Sequence, residues 1–150
     1  MIQKFRERSN GEGGFTLVEL LVVMLILGLL AAIAIPSFFN QRDKAKDADS
    51  KAAVRTAQTA METIATDNPD GEYVNANGSP VTAANLQTIE ETLDVTELTT
   101  VTGGVDGYTL TVTSDTDNTF TIIRASGGTV TYPCDDIGVG GCPQNGEWAQ

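Results

Sequence analysis

Histidine is missing from this 150-residue chain, which removes the commonest general base and metal ligand at neutral pH. Only two cysteines are present, and two thiolates without imidazole partners leave a tetrahedral zinc site half empty. Positive charge is scarce: nine Lys and Arg stand against twenty Asp and Glu, for a net charge of -11. It is also one-sided, because Lys4, Arg6, Arg8, Arg42, Lys44, Lys46, Lys51 and Arg55 all precede residue 56 and only Arg124 follows. No basic stripe is left for phosphates, so direct nucleic acid binding is not expected. The glycine-rich run Gly138-Val139-Gly140-Gly141 lacks the Lys and Ser or Thr of a phosphate loop. With no nucleophile and base in a recognisable pattern, the chain does not read as an enzyme, and no catalytic residue or obligatory cofactor is expected.

Apolar sequence is concentrated near the start. A short charged stretch ends in Gly13-Gly14, the next residues read Phe15-Thr16-Leu17-Val18-Glu19, and residues 20–35 carry no charge at all, with Phe38 and Phe39 extending the run. Twenty mostly apolar residues suffice to span a bilayer. A carboxylate at the mouth of such a helix costs roughly 2.5–3.5 kcal/mol on insertion scales, so Glu19 marks a function or a partner. The bases before the run favour a cytoplasmic N-terminus, although Arg42, Lys44 and Lys46 after it weaken the bias. An ordinary secretory signal cleaved near Ala32-Ile33-Ala34 is the alternative. It would make the mature chain a secreted or anchored binding module.

Against that alternative, helical periodicity continues past the apolar run. Ala45, Ala48, Ala52, Ala53, Ala57, Ala60, Met61 and Ile64 recur every three or four residues, with Lys44, Asp47, Asp49, Lys51, Arg55 and Glu62 on other faces. One helix is therefore expected over residues 15–67, ended by Asn68-Pro69-Asp70-Gly71. Its first half is hydrophobic all round and its second half amphipathic, with Pro36 and Gly28 as the positions where it would kink or loosen.

Beyond a loop over residues 68–80, Thr82 is a plausible N-cap for a short helix to Leu93 whose apolar face is Leu86, Ile89 and Leu93. Strands are predicted over residues 108–113, 120–123 and 129–132, with an edge strand near 98–102 and turns at 115–118 and 125–128. Leu110, Val112, Phe120, Ile122 and Val130 should form the core with the helix stripe. The class is α+β, one long helix on a small antiparallel sheet. Cys134 and Cys142 close a short loop if the head is exported, for about 2–3 kcal/mol; two free thiols are the alternative in a reducing compartment.

Gly14 followed by Phe15-Thr16-Leu17-Val18-Glu19, the apolar helix with Gly28 and Pro36, and the Ala-rich continuation resemble the type IV pilin and type II secretion pseudopilin superfamily over roughly residues 9–66. The resemblance implies a leader over residues 1–14, a transmembrane and polymerisation helix over 15–40, an amphipathic helix over 41–67 and a globular head over 68–150 folded as a pilin-like roll. It implies cleavage between Gly14 and Phe15 by a prepilin peptidase, methylation of the new Phe15 amine, and a contact between Glu19 and that amine on a neighbouring subunit. Gly28 and Pro36 would be where the helix loosens on assembly. The expected product is a pilus-like homopolymeric filament, with a type II secretion pseudopilin as the alternative. The precursor would sit in the cytoplasmic membrane, contacting lipid and the inner-membrane assembly machinery, before an extracellular or periplasmic filament forms. Some major pseudopilins are similar in having acidic C-terminal loops that bind calcium, which makes Asp135 and Asp136 calcium candidates.

Overall fold

A computed structural model describes residues 14–149. Of the expected leader only Gly14 is among them; Lys4, Arg6 and Arg8 lie outside the described residues. The chain divides into two compact units, residues 1–38 and 39–150. Helix α1 (Leu17–Asp67) contributes to both and is helical without a break through Gly28 and Pro36. It begins two residues after the predicted start because Thr16 takes the N-cap position.

Within the first unit, every large apolar side chain from residue 17 to residue 35 is exposed. The segment is long and apolar enough to cross a membrane, and none of its most apolar stretch is buried inside the chain. A helix hydrophobic on all sides has no inward face to bury, so its apolar surface is available to lipid or to other helices.

The second unit is built on the remainder of α1, helix α2 (Ala83–Ile89) and four strands: β1 (Leu98–Gly103), β2 (Tyr108–Thr113), β3 (Thr119–Arg124) and β4 (Val130–Thr131). The strands form one antiparallel sheet in the order β1-β2-β3-β4, with an irregularity between Leu98 and Thr100. Period-two alternation puts Tyr108, Leu110 and Val112 of β2 and Phe120 and Ile122 of β3 on the buried face. They join Val54, Ala57, Ala60, Met61, Leu86 and Trp148 in one core. Thr111 and Thr121 pair across the opposite face through their hydroxyls, 3.0 Å apart. The predicted edge strand is present, whereas β4 covers only two of the four predicted residues and Val130 is only half-buried.

Two expectations about helices are corrected. Thr82 caps α2 as predicted, with a reciprocal box through Asn85, but the helix stops at Ile89 because Glu90 is extended. Leu86 and Leu93 are buried while Ile89 lies on the surface, so the expected three-residue face is interrupted. On α1, Ala45, Ala48 and Ala52 are exposed, and the buried positions are Asp47, Ser50, Val54, Ala57, Ala60, Met61 and Ala65. The stripe is rotated because Asp47, expected on a solvated face, has hydrogen-bond donors waiting for it in the interior.

Candidate functional site

Thr16 and Glu19 form a reciprocal cap at the start of α1. The Thr16 backbone N–H and hydroxyl donate to Glu19 Oε2 at 3.0 and 2.9 Å, and the Glu19 N–H donates to Thr16 Oγ1 at 3.2 Å. This is a capping box: it satisfies orphan donors of the first turn and places a negative charge where the helix dipole favours one. The Thr-x-x-Glu spacing over residues 16–19 was legible, and sequence reasoning directed at Glu19 alone missed Thr16. All three bonds run between Thr16 and Glu19 and none uses Oε1, which has no partner among the described residues. Phe15, just before the cap, is 81% exposed.

Neither Gly14 nor Gly28 is required by packing inside the chain, since a Cβ at either would meet nothing within 4 Å. Glycine in a helix interior costs about 1 kcal/mol relative to alanine. At Gly28 no contact within the described subunit compensates that cost. Gly14, Phe15 and Glu19 therefore share one end of α1, whereas Gly28 and Pro36 lie nine or more residues further along the same helix.

The cysteine loop is a second, well-built feature. Cys134 and Cys142 are joined in a disulfide, and the loop is fastened to the second unit by buried polar groups. Asp47 accepts from the Thr116 hydroxyl through Oδ1 and from the Gly141 N–H at 2.6 Å through Oδ2. Lys51 donates to the Gly141 carbonyl and lies 5.0 Å from the Phe120 ring centroid. Burial pushes the Lys51 ammonium below its ordinary value, partly offset by the Asp47 charge. Asn118, also buried, donates to the Val139 carbonyl at 3.3 Å and accepts from the Asp136 N–H at 3.3 Å.

Asp135 and Asp136, the calcium candidates, sit in this loop. Asp135 Oδ1 accepts the N–H groups of Thr119 at 2.7 Å and of Asp136 at 3.0 Å, so it already braces the backbone. Among the described residues, no group of three or more Cys, Asp or Glu side chains is placed to hold a metal ion. At the other end of the sheet, Glu62 accepts from Tyr108 at 2.8 Å and Tyr73 at 3.2 Å and pairs with Arg124 at 3.4 Å. Arg55 stacks over Trp148, 5.1 Å from its ring. These clusters hold the head together; none combines a nucleophile with a base.

Comparison with known proteins bears on the first feature. Residues 9–35 match the prokaryotic N-terminal methylation motif. The type IV major pilin protein PilA of Myxococcus xanthus is 36% identical over 63 residues, which is 42% of this chain and 27% of that protein. The type II secretion system core protein G of Pseudomonas aeruginosa is 37% identical over 57 residues, 38% of this chain and 40% of that protein. The type IV narrow pilus major component PilA5 of Thermus thermophilus is 42% identical over 67 residues, 43% of this chain and 58% of that protein. The chain thus spans between about a quarter and three fifths of the length of these relatives. No solved structure matches it significantly.

Proposed function

We propose that this chain, placed in the type IV pilin and type II secretion pseudopilin superfamily by its N-terminal motif, is a structural filament subunit. It is cut between Gly14 and Phe15 by a prepilin peptidase and methylated on the Phe15 amine. It then leaves the cytoplasmic membrane by polymerising through the first half of α1. The observation that carries this reading is the junction itself: the methylation motif covers residues 9–35 and coincides with the start of a helix whose large apolar side chains over residues 17–35 are all exposed. In the membrane those side chains contact lipid; in the filament they contact the same segment of other copies, an exchange of one apolar surrounding for another. Glu19 is tolerable there because its own cap already satisfies one oxygen, and the methylated amine of a neighbour supplies the compensating cation. The chain catalyses nothing itself.

A pilus subunit is the first reading because the cysteine loop near the C-terminus is fastened as a defined surface feature. The similarity to type II secretion core protein G supports the pseudopilin reading beside it. Intact mass of the purified protein tests the processing step: a chain starting at methylated Phe15 is expected, and a start at Ile35 or an uncut Met1 would overturn it. Electron microscopy tests the next step, where Glu19→Ala should abolish filaments and undiminished assembly would remove the role given to that carboxylate.

A further inference from the structure

The head carries a groove at one end and a knob at the other. The groove, of about 600 Å³, lies between the first turns of α1 in the second unit and the cysteine loop, and is lined by Asn40, Lys44, Lys51, Gly138, Gly140 and Gln144 among others. Lys51 is committed to the Gly141 carbonyl, while Lys44 has no ion-pair partner among the described residues. The same loop exposes Ile137 and Val139, at 56% and 60%, each next in sequence to the lining residue Gly138. Apolar side chains held out on the loop and an ammonium without an ion pair in the groove are features of a contact surface.

The knob is the β1–β2 turn, residues 103–107. It is preorganised: Gly104 N–H donates to the Gly107 carbonyl and accepts through its own carbonyl from Tyr73 N–H, both at 2.9 Å. A Cβ at Gly103 would come within 2.0 Å of the Tyr73 carbonyl oxygen, and one at Gly107 within 2.1 Å of the Arg124 oxygen, so both glycines are needed for the close approach. The tip presents Val105, 60% exposed, beside the exposed carboxylate of Asp106. One apolar and one acidic side chain thus stand on a rigid tip, opposite in charge to Lys44 of the groove and apolar like the two exposed residues of its loop.

The two surfaces lie at different levels of the head. Tyr73, which supports the knob, is bonded to Glu62, and Glu62 is eighteen positions beyond Lys44, or about 27 Å along an α-helix. Complementary patches so separated do not pair within one copy, and they pair head to tail between copies, which generates an open array rather than a closed dimer. We infer that the β1–β2 tip of one copy seats in the groove of the next, with Val105 against Ile137 and Val139 and the Asp106 carboxylate on the Lys44 ammonium. This contact rests on the filament reading and adds to it a head-to-tail register between the globular parts of successive copies.

Charge exchange in the full-length protein, expressed with its assembly machinery, tests the contact. Asp106→Lys and Lys44→Asp should each lower filament yield about tenfold by setting like charges opposite one another, and the double variant should recover most of the loss. Val105→Asp should act like the single exchanges. Thermal unfolding of the detergent-solubilised subunit should be unchanged in all four, since each site is on the surface. Wild-type yield from both single variants, or a double variant no better than either, overturns the contact. If filaments form and depend on Glu19 but ignore these exchanges, only the contact falls; if the wild type forms none, the filament reading falls with it.

Discussion

From residue 17 to residue 35 every large apolar side chain of α1 is exposed, whereas the buried positions further along the same helix include Asp47 and Ser50 beside Ala57 and Ala60. Hydropathy and burial run in opposite senses along one element. None of the most apolar stretch in the first half is buried inside the chain, so nothing in the fold limits the size of its side chains. The second half packs against its own sheet, where small residues permit close approach and a carboxylate is tolerated because donors surround it. Over residues 17–35 an apolar side chain therefore says nothing of burial within the chain, while the buried positions from Asp47 onward report the fold of the head.

The comparison can be broken at several points. Phe120→Ala should lower the unfolding free energy of the detergent-solubilised protein by about 3–5 kcal/mol, while Leu27→Ala should stay within about 0.5 kcal/mol. Denaturant titration followed by tryptophan fluorescence measures both. A comparable loss at Leu27 would show that the first half is folded against the head after all. Next in size, Asp47→Ala should cost about 2–3 kcal/mol by stranding the half-buried Thr116 hydroxyl and Gly141 N–H. Asp47→Asn, which keeps an acceptor, should cost less in the same titration. Equal tolerance of the two would mean that the buried carboxylate is not what rotates the stripe.

Opening the disulfide with Cys134→Ser and Cys142→Ser should cost about 2 kcal/mol on the chain-entropy account. The Gly141 amide should nevertheless keep its hydrogen-exchange protection, because Asp47 holds it independently; rapid exchange there would make the disulfide the sole tether. The smallest effects are in pH. Burial pushes the Asp135 carboxyl up, but hydrogen bonds from Thr119 and Asp136 outweigh it and leave it below its ordinary 3.8. Its contribution is present above that value and fades as pH falls below it, so Asp135→Asn should flatten the acid limb of the stability curve. Burial, then Glu62, raises the Tyr108 hydroxyl above its ordinary 10.0. That contribution is complete below pH 10 and is lost on further alkalinisation, so Tyr108→Phe should flatten the alkaline limb. Unaltered limbs in these variants would assign the pH dependence elsewhere in the head.

Much of this architecture was legible because it rests on local signals. Alternation located β2 and β3, Thr82 capped α2 as read, and Asn68-Pro69-Asp70-Gly71 ended α1 where expected, with Asp70 N–H bonded to Asn68 Oδ1 at 3.2 Å. Asp47 was not legible: on a helix already rich in acids nothing local separates it from Asp43 or Asp49, and its donors come from residues 116 and 141. Thr16 was legible in principle, since its three-residue spacing to Glu19 is the capping signature. Ile89 failed because helical spacing was carried past the point where Glu90 turns extended.

The cysteine loop is held largely through its backbone. Its Gly141 N–H and carbonyl, the Val139 carbonyl and the Asp136 N–H make the attachments. Gly140 and Gly141 are fixed, because a Cβ at either would come within 2.3 and 2.7 Å of Asp47. Ile137 and Val139 contribute no side-chain bond to that attachment and face outward. The fold of the head thus leaves latitude at residues 137 and 139 and almost none at 140 and 141, so what constrains the two outward side chains is the neighbour they meet and not the structure beneath them.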